Sequence, residues 1–273
     1  MTVPRPSALG ERSGSGSAST GSELVDHLKG LGLTSLAKVV PGVLDTARQQ
    51  QWSYEAFLEQ ALGVERQGRA VRAHERRVRA AHLPTAKSLE SFDFSYQPAL
   101  SERLCRELAG LSFVATATNI VLLGPPGVGK THLALAFLGT ALESGYSGRF
   151  TTLRQLADEL ETVTWRQQRR RYLTPRVLVI DEVGYVRLTA SQAQQLFDLV
   201  TARYEQGAII LTSNRSFAEW GTLLGDEVLA TALLDRLLHH AEVLAIDGRS
   251  YRMKNRLSAS LPPMATAATA PTP

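Results

Sequence analysis

Cysteine is almost absent from this 273-residue chain. Cys105 stands alone, which excludes an intramolecular disulfide and any cysteine-built metal cluster. Long apolar runs are missing as well: no stretch approaches the roughly 20 residues that a membrane span requires. No charged-then-apolar leader with a small-residue cleavage site is visible, so a soluble, cytoplasmic protein is expected. Aromatic residues make up only 7% of the chain, and no period of roughly 20–50 residues recurs, which argues against a solenoid. Two stretches lack the apolar residues needed to offset their own ordering entropy: Met1–Ser22, dominated by Ser, Gly and Pro, and Ser258–Pro273. Both are expected to be disordered tails. The rest is 44% hydrophobic over the whole chain, enough for one α/β domain and a small helical one.

The strongest positive signal is Gly124-Pro125-Pro126-Gly127-Val128-Gly129-Lys130-Thr131. It follows the apolar run Ile120–Leu123 and precedes the helix-like Leu133–Leu138. Strand, glycine-rich turn and helix form the context in which such a run becomes a phosphate site. Backbone N–H groups must converge on phosphate oxygens, an arrangement that a Cβ would crowd, and the helix start adds partial positive charge. Lys130 is expected on the β/γ-phosphates and Thr131 on Mg²⁺. A plain glycine turn is the bland alternative.

A second apolar run, Val177–Ile180, ends in Asp181-Glu182. A carboxylate at a strand tip can hold a magnesium shell, and its neighbour can polarise a water for attack on phosphorus. Asp181 and Glu182 are expected in those two roles, the competing reading being a solvated helix cap. A third run, Ala208–Leu211, leads to Thr212-Ser213-Asn214. Ligands of open parallel sheets gather at the carboxyl ends of strands, so Asn214 is expected near Asp181, orienting the water and sensing the γ-phosphate. Asparagine after a strand is also an ordinary turn residue.

Several segments together resemble the IstB family: residues 124–134 with His132 after the P-loop, Val179–Tyr185, Leu196–Glu205, Thr212–Trp220, Leu233–His240 and Gly248–Lys254. The similarity runs from about Leu24 to Lys254. Its members are AAA+ ATPases encoded beside the transposase of certain insertion sequences, and they are related to DnaC-type helicase loaders. The resemblance implies a three-layer P-loop NTPase fold, with a helical domain over 23–88, an AAA+ domain over 89–257 and no separate C-terminal lid. It also implies that residues 124–132, Asp181 and Arg252 hold ATP and that Arg236 is an arginine finger reaching the γ-phosphate of a neighbouring subunit. Asn214 is then sensor 1 and Arg252 a sensor-2-like arginine. Phe92-Asp93-Phe94 would flank the base or ribose, or serve as a plain hydrophobic anchor. The implied activity is Mg²⁺-dependent ATP hydrolysis by a homo-oligomer on target DNA, which recruits or stimulates a partner transposase. A replicative helicase loader and, from another class, a small-molecule P-loop kinase are the alternatives.

Glu23 to about Leu83 has helical character, with a break expected at Pro41-Gly42 and a stronger helix starting at Tyr54. That second helix carries Arg66, Arg69, Arg72, Arg76 and Arg79 along one side. With Arg77, Lys87 and a net charge of +4, the stripe reads as a clamp on DNA phosphates with little sequence preference. A solvated helix face is the alternative. A second basic run, Arg166 and Arg169–Arg171 between Trp165 and Tyr172, reads as a charged surface helix whose aromatics could stack on bases. Cys105 is expected as a packed small side chain. His239-His240 lack carboxylate or cysteine partners at ligand spacing, so Mg²⁺ is the only metal expected.

Overall fold

The structure, a computed structural model, describes residues 17–162 and 165–253. Ser258–Pro273 and the first part of Met1–Ser22 lie outside the described residues. The chain divides into two compact units, one ending at Ala73 and the other beginning at His74.

Helices α1 (Ser17–Gly30) and α2 (Thr34–Gln49), with the first part of α3 (Tyr54–Ala81), build the first unit. Helix α1 includes Ser17–Ser22, which the composition assigned to a tail. Downstream packing explains this: Leu24, Val25 and Leu28 pack on buried Leu36, Val40 and Ala61, and extending an anchored helix is far easier than starting one. Helix α2 likewise runs through Pro41 instead of breaking there. Its apolar residues recur at Leu36, Val40 and Leu44, a single face whose burial outweighs the roughly 3 kcal/mol cost of an interior proline. Buried Glu65 caps the start of α2, accepting from the backbone N–H of Ser35 at 2.8 Å and of Leu36 at 3.0 Å.

The second unit is built on a parallel five-stranded sheet. Its strands are β1 (Asn119–Leu123), β2 (Gly148–Thr152), β3 (Val177–Val183), β4 (Ala208–Ser213) and β5 (Ala241–Ala245), in the spatial order β2-β3-β4-β1-β5. Successive side chains of a strand point to opposite faces, and each face has its own core. Ile120, Leu122, Val177, Val179 and Ile210 pack with α4 (Glu102–Ala109), α5 (Ser112–Ala115) and α6 (Lys130–Glu143). Val121, Leu178, Ile180, Ile209 and Leu211 pack on the other side. There they meet α7 (Leu153–Leu160), α10 (Ala190–Arg203), α11 (Trp220–Leu224) and α12 (Glu227–Leu238). Cover on both faces is why these strands read as continuous apolar runs.

The second basic run forms two short helices, α8 (Trp165–Gln168) and α9 (Arg170–Leu173), not one surface helix. The Arg166 side chain lies outside the described residues. Tyr172 is fully buried, donates its hydroxyl to Glu159 at 2.6 Å and carries the Arg149 guanidinium over its ring. It is a core residue, closed to stacking on a base. Buried Arg203, at the end of α10, donates to the carbonyls of Tyr172, Pro175 and Ala208, tying this segment to the sheet. Cys105 is fully buried in α4, where desolvation pushes its thiol up to about 11.

Candidate functional site: a phosphate loop facing three strand tips

Strands β3, β4 and β1 are neighbours, and their registers pair Val183 with Ser213 and Leu123 with Ser213. The carboxyl ends of three strands therefore meet at one place. From the tip of β1 the chain turns through the glycine-rich run into α6, whose first residue is Lys130. Gly129, just before the helix, has φ of 104°, and a side chain there would run into the Phe92 ring. A cavity of about 400 Å³ opens here. It is lined by Pro126–His132, Glu182, Thr212, Asn214, Tyr251 and Arg252, and by Thr85, Lys87 and Ser91–Asp93 of the segment before the core.

Lys130 is almost buried, and its ammonium donates to the carbonyls of Gly124 at 2.7 Å and Pro125 at 2.8 Å. Desolvation holds its pKa below the usual lysine value, with Asp181 opposing and Arg252 reinforcing the shift. Thr131 donates its hydroxyl to both carboxylate oxygens of Asp181, at 3.0 and 3.1 Å. Asp181 itself is 3% exposed and lies behind Thr131. Its second donor is the hydroxyl of Thr212 at 2.5 Å. Thr212 also accepts from the backbone N–H of Glu182 at 3.1 Å. This residue was visible in the sequence only as part of a motif, with no role of its own; its bonds span about thirty residues of chain and only the sheet brings them together.

Glu182 sits in a register shift of β3 against β4 and has φ of 61°. A non-glycine residue in that region costs about 1–3 kcal/mol and persists only where its surroundings enforce it. The effect is to turn the Glu182 side chain out of the buried strand into the exposed mouth of the cavity. Asn214 lines the same mouth, and its side-chain oxygen is buried without a partner. Gly184, two residues after Glu182, has φ of 111°, and a side chain there would collide with Asn214 and Arg215. Glycine lets the two strand tips close together.

Beside the phosphate loop, Phe92 meets His132 edge-on at 5.3 Å and the tilted Phe94 ring at 4.8 Å. The His132 Nε2 lies 2.9 Å from the Ser88 carbonyl, so this residue secures the preceding segment to α6. The segment after β5 closes in from another direction, the Tyr251 N–H donating to the Gly127 carbonyl at 2.9 Å. Tyr96 and Tyr251 meet edge to face at 5.2 Å. Neither Tyr251 nor Gln97 was identified in the sequence as part of the site. Tyr251 meets the loop across 124 residues of chain (251 − 127), and Gln97 is held by the Arg249 carbonyl 152 residues away.

The remaining expected residues lie elsewhere. Arg236, in the last turn of α12, does not line the cavity. Its guanidinium stacks on the Phe197 ring at 4.6 Å and donates to the Ala232 carbonyl. In the arginine stripe of α3, Arg69 and Arg72 are engaged: both pair with Glu65, at 3.0 and 2.9 Å, and Arg72 also donates to the Ser35 hydroxyl. Burial opposes ionisation of Glu65, but these hydrogen bonds and those from Leu36 and Ser35 hold it at about 2. Arg79 lies 3.9 Å from Glu75, whereas Arg66 and Arg76 project into solvent. The histidine pair does find a carboxylate: His239, His240 and Glu205 bring their donor atoms within 4.8 Å of one another. Sequence spacing concealed this because Glu205 lies beyond the far end of α10. The three are exposed and already interact, His240 with Glu205 at 3.5 Å and His239 with the Tyr204 hydroxyl at 2.6 Å. Among the described residues no helix is long and apolar enough to cross a membrane.

A parallel three-layer fold with a glycine-rich loop after β1, an acidic pair at the tip of β3 and an asparagine at the tip of β4 is the P-loop NTPase fold of AAA+ type. AMPPCP-bound DnaA from Aquifex aeolicus has this fold, with a TM-score of 0.51 and 23% identity over 65% of this chain and 56% of that one. The family described as IstB-like ATP binding protein matches residues 26–259, and the chain belongs to that family. It is 44% identical over 243 residues to a protein from Pseudomonas aeruginosa named as an ATP-binding protein of insertion sequence IS21, covering 88% of this chain and 92% of that one. It is 40% identical to the corresponding protein of insertion sequence IS5376 from Geobacillus stearothermophilus, covering 83% and 92%.

Proposed function

We propose that this chain is a DNA-binding ATPase of a transposition system, whose subunits assemble on target DNA with ATP and recruit or stimulate a partner transposase. Its ATPase domain would be 89–257, preceded by a helical domain over 23–88. The observation that carries the chemistry is convergence: Lys130, Thr131, Glu182 and Asn214 line one cavity, and Asp181 is bonded to Thr131 just behind it. Backbone N–H groups of the loop and the start of α6 bind phosphate, and Lys130 turns from the loop carbonyls to the β/γ-oxygens.

The Thr131 hydroxyl and the Asp181 carboxylate offer hard oxygen donors in one place, the set that suits Mg²⁺. Mg²⁺ held there by Thr131 and Asp181 would supply positive charge that neutralises the phosphates. Glu182 accepts a hydrogen bond, and then the proton, from a water aligned with the γ-phosphorus, while the unpaired Asn214 oxygen orients that water. Arg236 serves the site of the next subunit, which is consistent with its place outside its own cavity and requires a homo-oligomer. Arg66 and Arg76 are the free cations of the DNA-facing helix. The insertion-sequence names of the relatives favour a transposase over a replicative helicase as partner.

The test is Glu182→Gln, which keeps shape and hydrogen bonding but removes the base. ATP binding by calorimetry should persist while phosphate release falls by at least about a hundredfold. The oligomer should then remain on DNA after a competitor chase, in contrast to wild type. Equal release of DNA by the two proteins, with hydrolysis confirmed absent in the mutant, would refute hydrolysis as the timer of the DNA-bound state.

A further inference from the structure

At the end of the parallel sheet opposite the strand tips, the chain gathers a second set of donor atoms. His239 and His240 lie between α12 and β5, and Tyr204 and Glu205 between α10 and β4. The His239, His240 and Glu205 donors lie within 4.8 Å of one another, and none of these residues lines the phosphate-loop cavity. The backbone that carries them is held from two sides. Asn119, the first residue of β1, donates its N–H to the His240 carbonyl at 2.7 Å and its side-chain amide to the Leu237 carbonyl at 2.9 Å. Its side-chain oxygen accepts from the Ile209 N–H at 2.9 Å, so one asparagine ties the exit of α12 to β1 and β4. On the other side, the carbonyl of buried Arg203 accepts from the N–H groups of Gln206 and Gly207 at 2.9 and 3.2 Å. Glu205 sits within that turn with φ of 57°, a conformation that a non-glycine residue keeps only where its surroundings enforce it.

Two imidazoles and a carboxylate make up a donor set that suits zinc and its first-row neighbours, whereas Mg²⁺ prefers oxygen alone. In a tetrahedral zinc site with bonds of about 2.0–2.1 Å, neighbouring donors stand about 3.3–3.4 Å apart. His240 Nε2 and Glu205 Oε1 are 3.5 Å apart, long for a charge-assisted hydrogen bond and close to the separation across a metal. The widest separation in the set has to close by about 1.5 Å, a small movement for exposed side chains. The Tyr204 hydroxyl, 2.6 Å from His239 Nδ1, adds an oxygen beside the three donors. An exposed ion pair contributes little, so giving up the present His240–Glu205 contact costs little. We propose that His239, His240 and Glu205 bind one zinc-type divalent ion, with water completing its coordination, and that the ion clamps the end of α10 to the end of α12. The same two helices carry the Phe197–Arg236 stack, one turn back along α12. The clamp therefore lies beside Arg236, and it shares no residue with the nucleotide cavity.

The experiment titrates Zn²⁺ into the metal-stripped, tag-free full chain by calorimetry, with Mg²⁺ in excess to fill any oxygen-donor site. Wild type should take up one ion with Kd below about 10 µM. Co²⁺ in its place should give the strong visible absorption of a four-coordinate ion. His240→Ala and Glu205→Gln should each weaken zinc binding at least about tenfold, while His27→Ala, at an exposed histidine of α1, should leave it unchanged. Zinc at about a hundred times Kd should raise the melting midpoint of wild type by about 5 °C and leave that of His240→Ala in place. The substituted side chains are exposed, so the variants report on binding and not on folding. Absence of uptake by wild type overturns the site outright. An affinity that neither His240→Ala nor Glu205→Gln lowers places the zinc elsewhere and also overturns it. Uptake with an unchanged melting midpoint overturns the clamp.

Discussion

Replacing Thr212 by Val removes one hydroxyl and leaves the side-chain volume nearly unchanged, which makes it a clean probe of how the acidic pair is held. The hydroxyl makes two bonds, one donated to the Asp181 carboxylate and one accepted from the Glu182 N–H. A bond to a charged acceptor contributes about 1.5–3 kcal/mol and a neutral one about 0.5–1.5. Thr212 and Asp181 are 2% and 3% exposed, so water cannot readily replace either bond. A stability loss of about 2–4 kcal/mol is expected by urea denaturation. The kinetic effect should be of a different kind. Glu182 occupies a left-handed conformation at φ of 61°, whose cost of about 1–3 kcal/mol must be met by its surroundings. Losing its tether should let the carboxylate wander, lowering kcat for phosphate release by about 10- to 100-fold. Affinity for ATP should change by less than about threefold, since Lys130 and the loop are untouched. Thr212→Ser restores the hydroxyl and should recover most of the rate. A Thr212→Val protein that is destabilised as expected yet turns over within twofold of wild type would refute the positioning role. So would a serine variant as slow as the valine one.

Arg236→Ala should bind ATP normally but hydrolyse it several hundredfold more slowly or worse, and mixing it with Lys130→Ala subunits should restore part of the activity. The rescue arises because one variant contributes the finger and the other holds the nucleotide; no recovery at any mixing ratio would argue against action between subunits. For the helix proposed to face DNA, Arg66→Gln with Arg76→Gln should weaken binding equally for unrelated duplexes and lower the slope of log affinity against log salt by up to about 0.9 per lost contact. A wild-type slope would return that face to plain solvation. Arg69 and Arg72 are poorer probes, since removing either also breaks the Glu65 network that caps α2.

What the sequence revealed and what it concealed divide by chain distance. The phosphate loop was legible because its chemistry is contiguous, and Asp181, Glu182 and Asn214 were legible because an apolar run announces a strand and the strand's end announces a site. Thr212, Gln97 and Tyr251 were not, since each acquires its role from a partner on another element and nothing local marks it. The helical unit shows the same limit in two forms. Pro41 is a strong local signal that lost to the Leu36, Val40 and Leu44 face. The arginine spacing correctly identified one face of α3, but a single glutamate on that helix engages two of the five residues. That glutamate, four positions before Arg69, was a clue available in the sequence.

The site's construction bears on how ATP could couple to assembly. Its walls come from four places along the chain: the segment around Phe92, the phosphate loop, the tips of β3 and β4, and the segment that carries Tyr251 and Arg252. Two of these walls are irregular segments tied to the loop and to α6 by a few bonds, such as Tyr251 to Gly127 and His132 to Ser88. Segments of that kind sit at the low end of local stability. A ligand that touches all four walls strengthens the association among them by its own binding energy, and the energy is withdrawn when the γ-phosphate leaves. The strained, exposed Glu182 and the unpaired Asn214 oxygen lie at the strand tips that would sense this loss. Arg236, on α12, stands apart from them. If it is the finger proposed above, it acts on the γ-phosphate of a neighbour, and the presence of that phosphate would be reported between subunits as well as within one.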